Sequence, residues 1–471
     1  MPGPARTVFL VVHQGFIARL LLRTDILPTL KAAGCHVVIL APAAAIGSLE
    51  LEHADEQVIV EPLRTPPKRA GERSMLWWWT LHLRHYAIAN GHRTRALRDK
   101  AERFPGRSMA GQPVERRIFT LLLHALWRSR RLRRAVLALE LKRYVEEVHR
   151  DLFERYAPDL VVTASPGYFK PDARLLREAA LHGVPSASVI LSWDNPTSKG
   201  YRGADPDLVV TWSARMREQM VEFQDFAPAQ VKVGGVPHFD AYYRDDALPS
   251  RDVLFARLGL DPARRLILFA TSAPGYYGRD HEVAEQLARA VSDDALGMPA
   301  QLVIRVHPNF PSKDVSTAAF EKIARVHHDV HLDVPQIVPS GLACHMPGAD
   351  TERLMALVRH CDVLVNVFST TTLEAFAVDR PVVMIESKAT VYEHMALVLE
   401  SGASPVAGSE RELLDHVRHY LAHPEAERGE RAAIAARELG PGDGRSGERV
   451  AGMLLALAGA PSPARAPAVA A

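Results

Sequence analysis

The sequence predicts an α/β fold of two successive doubly wound parallel sheets, and three observations carry that expectation. Short β-branched runs alternate with helical stretches, the rhythm of βαβ units. The alternation occurs as two series. A polar, proline-containing segment, Arg244 to Arg251 (RDDALPSR), reads as the linker between them.

The first series opens with Val8–Val12 (VFLVV), an apolar-periodic helix over Leu20–Ala33, a stop at Gly34 and the run His36–Ala41 (HVVILA). It continues with Leu160–Val162, Ala187–Trp193, Leu208–Thr211 and Val231–Val233. The second series is Leu266–Thr271, Leu302–Val306, Val330–Val334, Val363–Val367 and Val382–Ile385. Between Arg64 and Arg150 the strand rhythm stops, which predicts a mostly helical insertion. The expected domains are 1–245, carrying the insertion at 64–150, and 252–440. A C-terminal helix at 441–458 and an Ala/Pro-rich, disordered tail at 459–471 follow.

Composition narrows the function classes. The chain has 471 residues with 57 Lys+Arg against 55 Asp+Glu, a formal charge of +2, and is 47% hydrophobic and 24% charged. This is ordinary globular composition, which excludes disorder and a globally basic nucleic-acid coat. Three cysteines with no metal or disulfide spacing favour a reducing cytosol. No apolar run approaches the ~20 residues of a membrane span, and the start lacks signal-peptide organisation. A cytoplasmic protein is expected, peripheral at the inner face of the cell membrane if the insertion docks there.

The near-neutral total hides an asymmetry. Residues 64–150 hold 21 Lys+Arg against 7 Asp+Glu, beside Trp77, Trp78, Trp79, Tyr86, Phe119, Trp127 and the run Leu121–Leu123. Two readings stand level. An anionic membrane surface attracts such a segment at ~1 kcal/mol per basic residue. A solvated basic face on inward-packed helices has the same composition. No nucleic-acid reader motif accompanies the charge, so no nucleic acid is expected.

Open α/β sheets bind ligands beyond the carboxyl ends of their strands, at the topological switch points. The segment Val363–Val383 places Ser369, Thr370, Thr371 and Thr372 after a buried strand, where a helix start supplies N–H donors for a diphosphate. Thr371 and Glu374 also have capping-box spacing, which accounts for the same pattern without a ligand. Arg305-Val306-His307-Pro308 follows another strand of the same series. Arg offers a fork matched to phosphate oxygens, and His donates to the same group or acts as general acid. Ser272, in Thr271-Ser272-Ala273-Pro274-Gly275, ends a third strand in the same way.

In the first half, His13 (VVHQGF) and Asp194 (SWDNPTSKG) each follow a strand. Asp194 is a candidate base, or the carboxylate that orients His13; an Asx-type turn before Pro196 is the bland alternative. For His13 the bland alternative is a cap on the sheet. The GxGxxG match at Gly442–Gly447 has no preceding strand and is a turn. His327, His328 and His331 lack a completing carboxylate or Cys, so no metal site is expected.

These residues carry a resemblance. The second half resembles the nucleotide-binding domain of GT-B glycosyltransferases and their relatives, the non-hydrolysing UDP-sugar 2-epimerases and CDP-glycerol glycerophosphotransferases. It lies in the Ser/Thr-rich helix start with Glu374, the Arg305–Pro308 element, the segment Val233–Asp240 (VGGVPHFD) and the turn Asp443–Val450 (DGRSGERV). It implies two Rossmann-like domains facing a cleft and a final helix crossing back to the first domain. Ser272, Arg305, His307, Ser369, Thr370 and Thr371 would hold the donor diphosphate, and Glu374 the ribose. His13 would be the base that deprotonates the acceptor, with Asp194 assisting or replacing it. The expected activity is metal-independent glycosyl transfer, without cofactor, from a nucleotide-sugar donor to a glycan or lipid-linked acceptor of surface-polysaccharide synthesis. The alternatives are a CDP-glycerol-type polyol-phosphate transferase, a UDP-sugar 2-epimerase and a non-catalytic scaffold of the same fold.

Overall fold

A computed structural model of the chain describes residues 6–66, 75–89, 91, 94–109, 111–310, 316–387 and 392–459. The tail expected to be disordered lies outside them from residue 460 onward. The chain forms two compact units. The first holds the chain up to His238, Ser340–Ala343 and the stretch from Arg445; the second holds Phe239–Pro339 and Cys344–Gly444.

The first unit is built on a seven-stranded sheet of β1 (Thr7–Val11), β2 (His36–Ala41), β3 (Val58–Pro62), β4 (Leu160–Thr163), β5 (Ser186–Val189), β6 (Leu208–Thr211) and β7 (Val231–Val233). Their order is β3-β2-β1-β4-β5-β6-β7, and every pairing is parallel. The second unit carries β8 (Arg265–Ala270), β9 (Ala300–Arg305), β10 (Val330–Asp333), β11 (Val363–Asn366), β12 (Val382–Ile385) and β13 (Val406–Ala407). These also pair in parallel, in the order β10-β9-β8-β11-β12-β13. Both sheets are the doubly wound type expected, with switch points at β1/β4 and β8/β11.

Helices cover both faces, so the central strands read as continuous apolar runs: Val8–Val11 and Leu266–Phe269 are fully buried. The edge strands β3 and β13 escape that signature. β3 alternates buried and exposed residues, and β13 has only two residues. The helix expected over Leu20–Ala33 is two, Gly15–Leu21 and Ile26–Ala32. Pro28 cannot donate back one turn, and the Thr24 hydroxyl instead takes the Leu20 carbonyl at 2.8 Å.

The basic insertion folds as four helices, Met75–Tyr86, Arg95–Ser108, Pro113–Arg128 and Arg130–Arg143. They enclose a small core of Leu83, Phe119, Leu123, Leu126, Trp127 and Leu137 that closes on Tyr201. Trp78 and Trp79 pack inward on Phe104 and Phe119, each with ring centroids 5.7 Å apart. The buried pair Arg133–Asp225, with contacts of 2.7 and 2.9 Å, ties this core to the sheet region. At Gly200 (φ +97°) a Cβ would stand 1.9 Å from the His85 carbonyl oxygen. Only glycine lets the insertion's backbone rest there.

The two glycine-rich segments singled out in the sequence meet each other. Gly235 (φ +90°) leaves no room for a Cβ against Ser446 Oγ, and Arg449 donates to the Gly234 carbonyl at 2.9 Å. The helix Ser446–Ala458 then packs in the first unit against Ile26–Ala32.

Candidate active site

In the second unit, Ala270 is in register with both Arg305 and Asn366, so β8, β9 and β11 end level with one another. The Thr271 hydroxyl accepts the His307 backbone N–H at 2.9 Å, locking the first two strand ends together. His307 Nδ1 accepts the Asn309 N–H at 3.1 Å. Burial pulls the imidazole pKa down to about 4. A neutral ring whose Nδ1 is an acceptor carries its proton on Nε2, so His307 is a neutral donor at neutral pH.

The third strand end turns sharply. Phe368 adopts φ +47°, a left-handed conformation uncommon for a large side chain, immediately before the helix Thr371–Ala377. The capping box that spacing allowed is not formed. Thr370 is the N-cap and makes no side-chain cap bond. The Thr371 hydroxyl accepts from Asn366 Nδ2 at 3.1 Å, and Asn366 also donates to Thr372 at 3.0 Å. The Ser369 hydroxyl accepts the Thr371 N–H at 3.3 Å. Among the described residues no acceptor takes the backbone N–H of Ser369 or Thr370. Both residues are half-buried. Two backbone donors are thus unspent at this strand-to-helix turn, which gives it the chemistry of an anion cradle.

Three expected donor-site side chains are committed elsewhere. Arg305 is buried, and its guanidinium lies between Asp333, at 2.5 Å, and Asp350. Arg353 reaches the same two carboxylates, at 2.9 Å to Asp333. Arg305 is therefore the buried centre of a four-residue ionic network whose other cation, Arg353, is partly exposed, rather than a free phosphate fork. Ser272 gives its hydroxyl proton to Asp280 at 2.8 Å and its N–H to the same carboxylate at 2.6 Å, which fixes the loop before the helix Asp280–Ser292. Glu374 is buried and accepts the Tyr242 hydroxyl at 2.6 Å, so it is not an open ribose ligand.

In the first unit, His13 follows β1 at the switch point and bonds a carboxylate that the sequence reading missed. His13 Nε2 lies 3.1 Å from Asp172 Oδ1, and the other Asp172 oxygen accepts the Ser165 hydroxyl at 2.6 Å. Asp172 is fully buried in the first turn of the helix Lys170–Leu181, where the helix dipole favours a negative charge. The His13 ring packs edge-on against Phe169 at 5.2 Å between centroids, and its side chain is 11% exposed. Donation from Nε2–H to Asp172 leaves Nδ1 as a lone-pair acceptor, the arrangement of an oriented general base. From behind, the Gly15 N–H bonds Ala343 at 2.8 Å, contributed by the chain between β10 and β11.

Asp194 does not orient His13. It accepts the Ser192 hydroxyl at 2.8 Å and the Ser198 hydroxyl, and lies 3.6 Å from Lys199 Nζ. This is a local loop brace, closer to the bland reading of that segment.

No curated protein matches the chain. Among solved structures, UDP-GlcNAc 2-epimerase from Neisseria meningitidis superposes with a TM-score of 0.54 at 12% identity, over 96% of this chain and 100% of that one. The enzyme of the same name from Methanocaldococcus jannaschii gives 0.51 at 10% identity, covering 96% and 99%. A glycosyltransferase from Rickettsia africae gives 0.50 at 11% identity, covering 96% and 99%. These likenesses show the GT-B fold, with two Rossmann-like domains, and nothing finer. The family model for CDP-glycerol:poly(glycerophosphate) glycerophosphotransferases matches residues 197–456, which contain the whole strand-end cluster of the second unit but neither His13 nor Asp172. That match spans more than half of the chain, which therefore belongs to the CDP-glycerol:poly(glycerophosphate) glycerophosphotransferase family.

Proposed function

We propose that this protein transfers a glycerophosphate-type group from a nucleotide-activated donor to a hydroxyl of a surface-polymer or lipid-linked acceptor. One observation carries the reading: β8, β9 and β11 end level with one another, with His307 following β9 and the unspent N–H groups of Ser369 and Thr370 following β11. These donors suit a diphosphate. His13, oriented by Asp172, takes the proton of the acceptor hydroxyl as its oxygen forms a bond to the donor's distal phosphorus. The bond from that phosphorus to the bridging oxygen breaks, and the nucleoside monophosphate leaves with the electron pair. Donors already aimed at the phosphates stabilise the charge that develops there.

Glycosyl transfer is the second reading, because the same cradle would hold the diphosphate of a nucleotide sugar. Calorimetric titration with CDP, UDP and GDP separates the two. The proposal expects CDP to bind best, raising stability by ~2.7 kcal/mol at a hundredfold excess over Kd. Preference for UDP or GDP would favour glycosyl transfer, and binding of none would remove both.

We also infer that the helix Pro113–Arg128 docks on an anionic bilayer surface. It leaves Val114, Ile118, Leu121 and Leu122 between 43% and 70% exposed, beside the exposed Arg116, Arg117 and Arg128. Burying such aliphatic side chains in the headgroup boundary is worth ~1.5–3 kcal/mol each. Co-sedimentation with phosphatidylglycerol vesicles is expected to fall at least tenfold in Ile118→Gln/Leu121→Gln. Equal binding of the variant, or of neutral phosphatidylcholine vesicles, would overturn this.

A further inference from the structure

The first unit holds a cavity of about 990 Å3 between the helical insertion and the start of the helix Lys170–Leu181. That is the size of a ligand site, and neither His13, Asp172 nor Asp194 lines it. One wall is apolar, formed by Leu76, Trp77, Leu81 and Phe104. The charged part of the lining is cationic on balance. Among the described residues, five Arg or Lys side chains line the cavity against two Glu.

The surplus charge extends into the buried floor. Arg84 and Arg177 share a single carboxylate, Glu140, and all three are buried. Arg177 donates to Glu140 at 2.8 Å and to the Gly203 carbonyl at 2.6 and 2.9 Å; Arg84 donates to the other Glu140 oxygen and to the Tyr201 carbonyl at 2.9 Å. One carboxylate cannot neutralise two guanidinium ions. Among the described residues, therefore, two buried guanidinium ions face one carboxylate, and the floor carries surplus positive charge that an approaching anion would offset. Nearer the surface, the Lys170 ammonium stands 5.9 Å over the Trp77 ring, and Arg174 lies 3.8 Å from Glu146.

We propose that this cavity binds the phosphate-bearing end of an amphiphilic acceptor, with its anion against Lys170, Arg174 and the Arg84–Glu140–Arg177 floor and its apolar part along Trp77, Leu81 and Phe104. The term acceptor rests on the function proposed above; the binding site does not. Tyr168 and Lys170 line the cavity, and Phe169 between them packs on the His13 ring. A ligand seated here lies against the same loop that holds the base.

The test uses the full chain and a defined probe, farnesyl phosphate below its micellar concentration, titrated by calorimetry with quenching of tryptophan fluorescence as a second readout. Farnesyl phosphate is expected to bind, with farnesol and inorganic phosphate each at least tenfold weaker. Lys170→Gln/Arg174→Gln is expected to weaken farnesyl phosphate at least tenfold while the variant stays folded and keeps its nucleotide affinity. Equal affinity for farnesol or for phosphate alone, or an unaffected double variant, would overturn the proposal. Because no turnover is involved, the two readings fail separately. Cavity-dependent binding in a protein that takes no nucleotide would sink the transferase reading and leave this site standing.

Discussion

Replacing His13 with Ala is expected to lower kcat by ~10²–10⁴-fold, the usual contribution of a positioned general base, with donor KM unchanged. Asp172→Ala should follow in the same direction with a smaller loss, on the order of 10–100-fold. Asp172 touches no reacting atom, and its work is to hold the ring by the 3.1 Å bond while taking the Ser165 proton. Leaving Ser165 without its partner also costs ~1–3 kcal/mol of stability, so kcat is measured per folded molecule. Asp194→Ala serves as the contrast. Its carboxylate braces Ser192 and Ser198 within one loop, and kcat should stay within about threefold of the parent. If Asp194→Ala abolishes turnover while Asp172→Ala does not, the base has been assigned to the wrong dyad.

The second large effect is on stability. Arg305→Met leaves Asp333 and Asp350 buried with Arg353 as their remaining cation. Breaking a buried ion network by removing one partner costs ~3–5 kcal/mol, so Tm is expected to fall by on the order of 10 °C for a unit of this size. Affinity for nucleotide, measured well below the transition, should be retained. A variant that melts like the parent but has lost nucleotide affinity would return Arg305 to the donor site.

Much of the architecture was legible because the physics is local. Strands covered on both faces must be apolar, and Val8–Val12 or Leu266–Phe269 announce themselves. The strand-end rule also led to the neighbourhoods of His13, His307 and Ser369. What it could not supply is pairing across long separations. Asp172 lies 159 residues from His13. A signal was present, since Ser165-Pro166-Gly167 follows β4 much as Thr271-Ser272 follows β8, yet nothing local joins it to β1. Arg305 failed for a related reason. It belongs to β9, whose six residues are all buried, and a charged side chain in such a strand must find partners inside. Those partners are one strand and one helix away. The insertion shows the converse, for its composition was plain while the inward packing of Trp78 and Trp79 depended on Phe104 and Phe119.

The claim on which the rest depends is that the β8/β9/β11 strand ends bind a nucleoside diphosphate through unspent donors. Thr370 has φ −57°, which proline also adopts, so Thr370→Pro deletes one of those N–H groups without changing the backbone angle. His307→Ala deletes the neutral donor that follows β9. Hydrogen bonds to charged groups are worth ~1.5–3 kcal/mol. Calorimetric titration of CDP into the parent and the two variants is therefore expected to show saturable binding that weakens at least tenfold in each variant, with Tm of Thr370→Pro unchanged. CDP, UDP and GDP all failing to bind the parent, or binding with an affinity indifferent to both substitutions, would contradict the account.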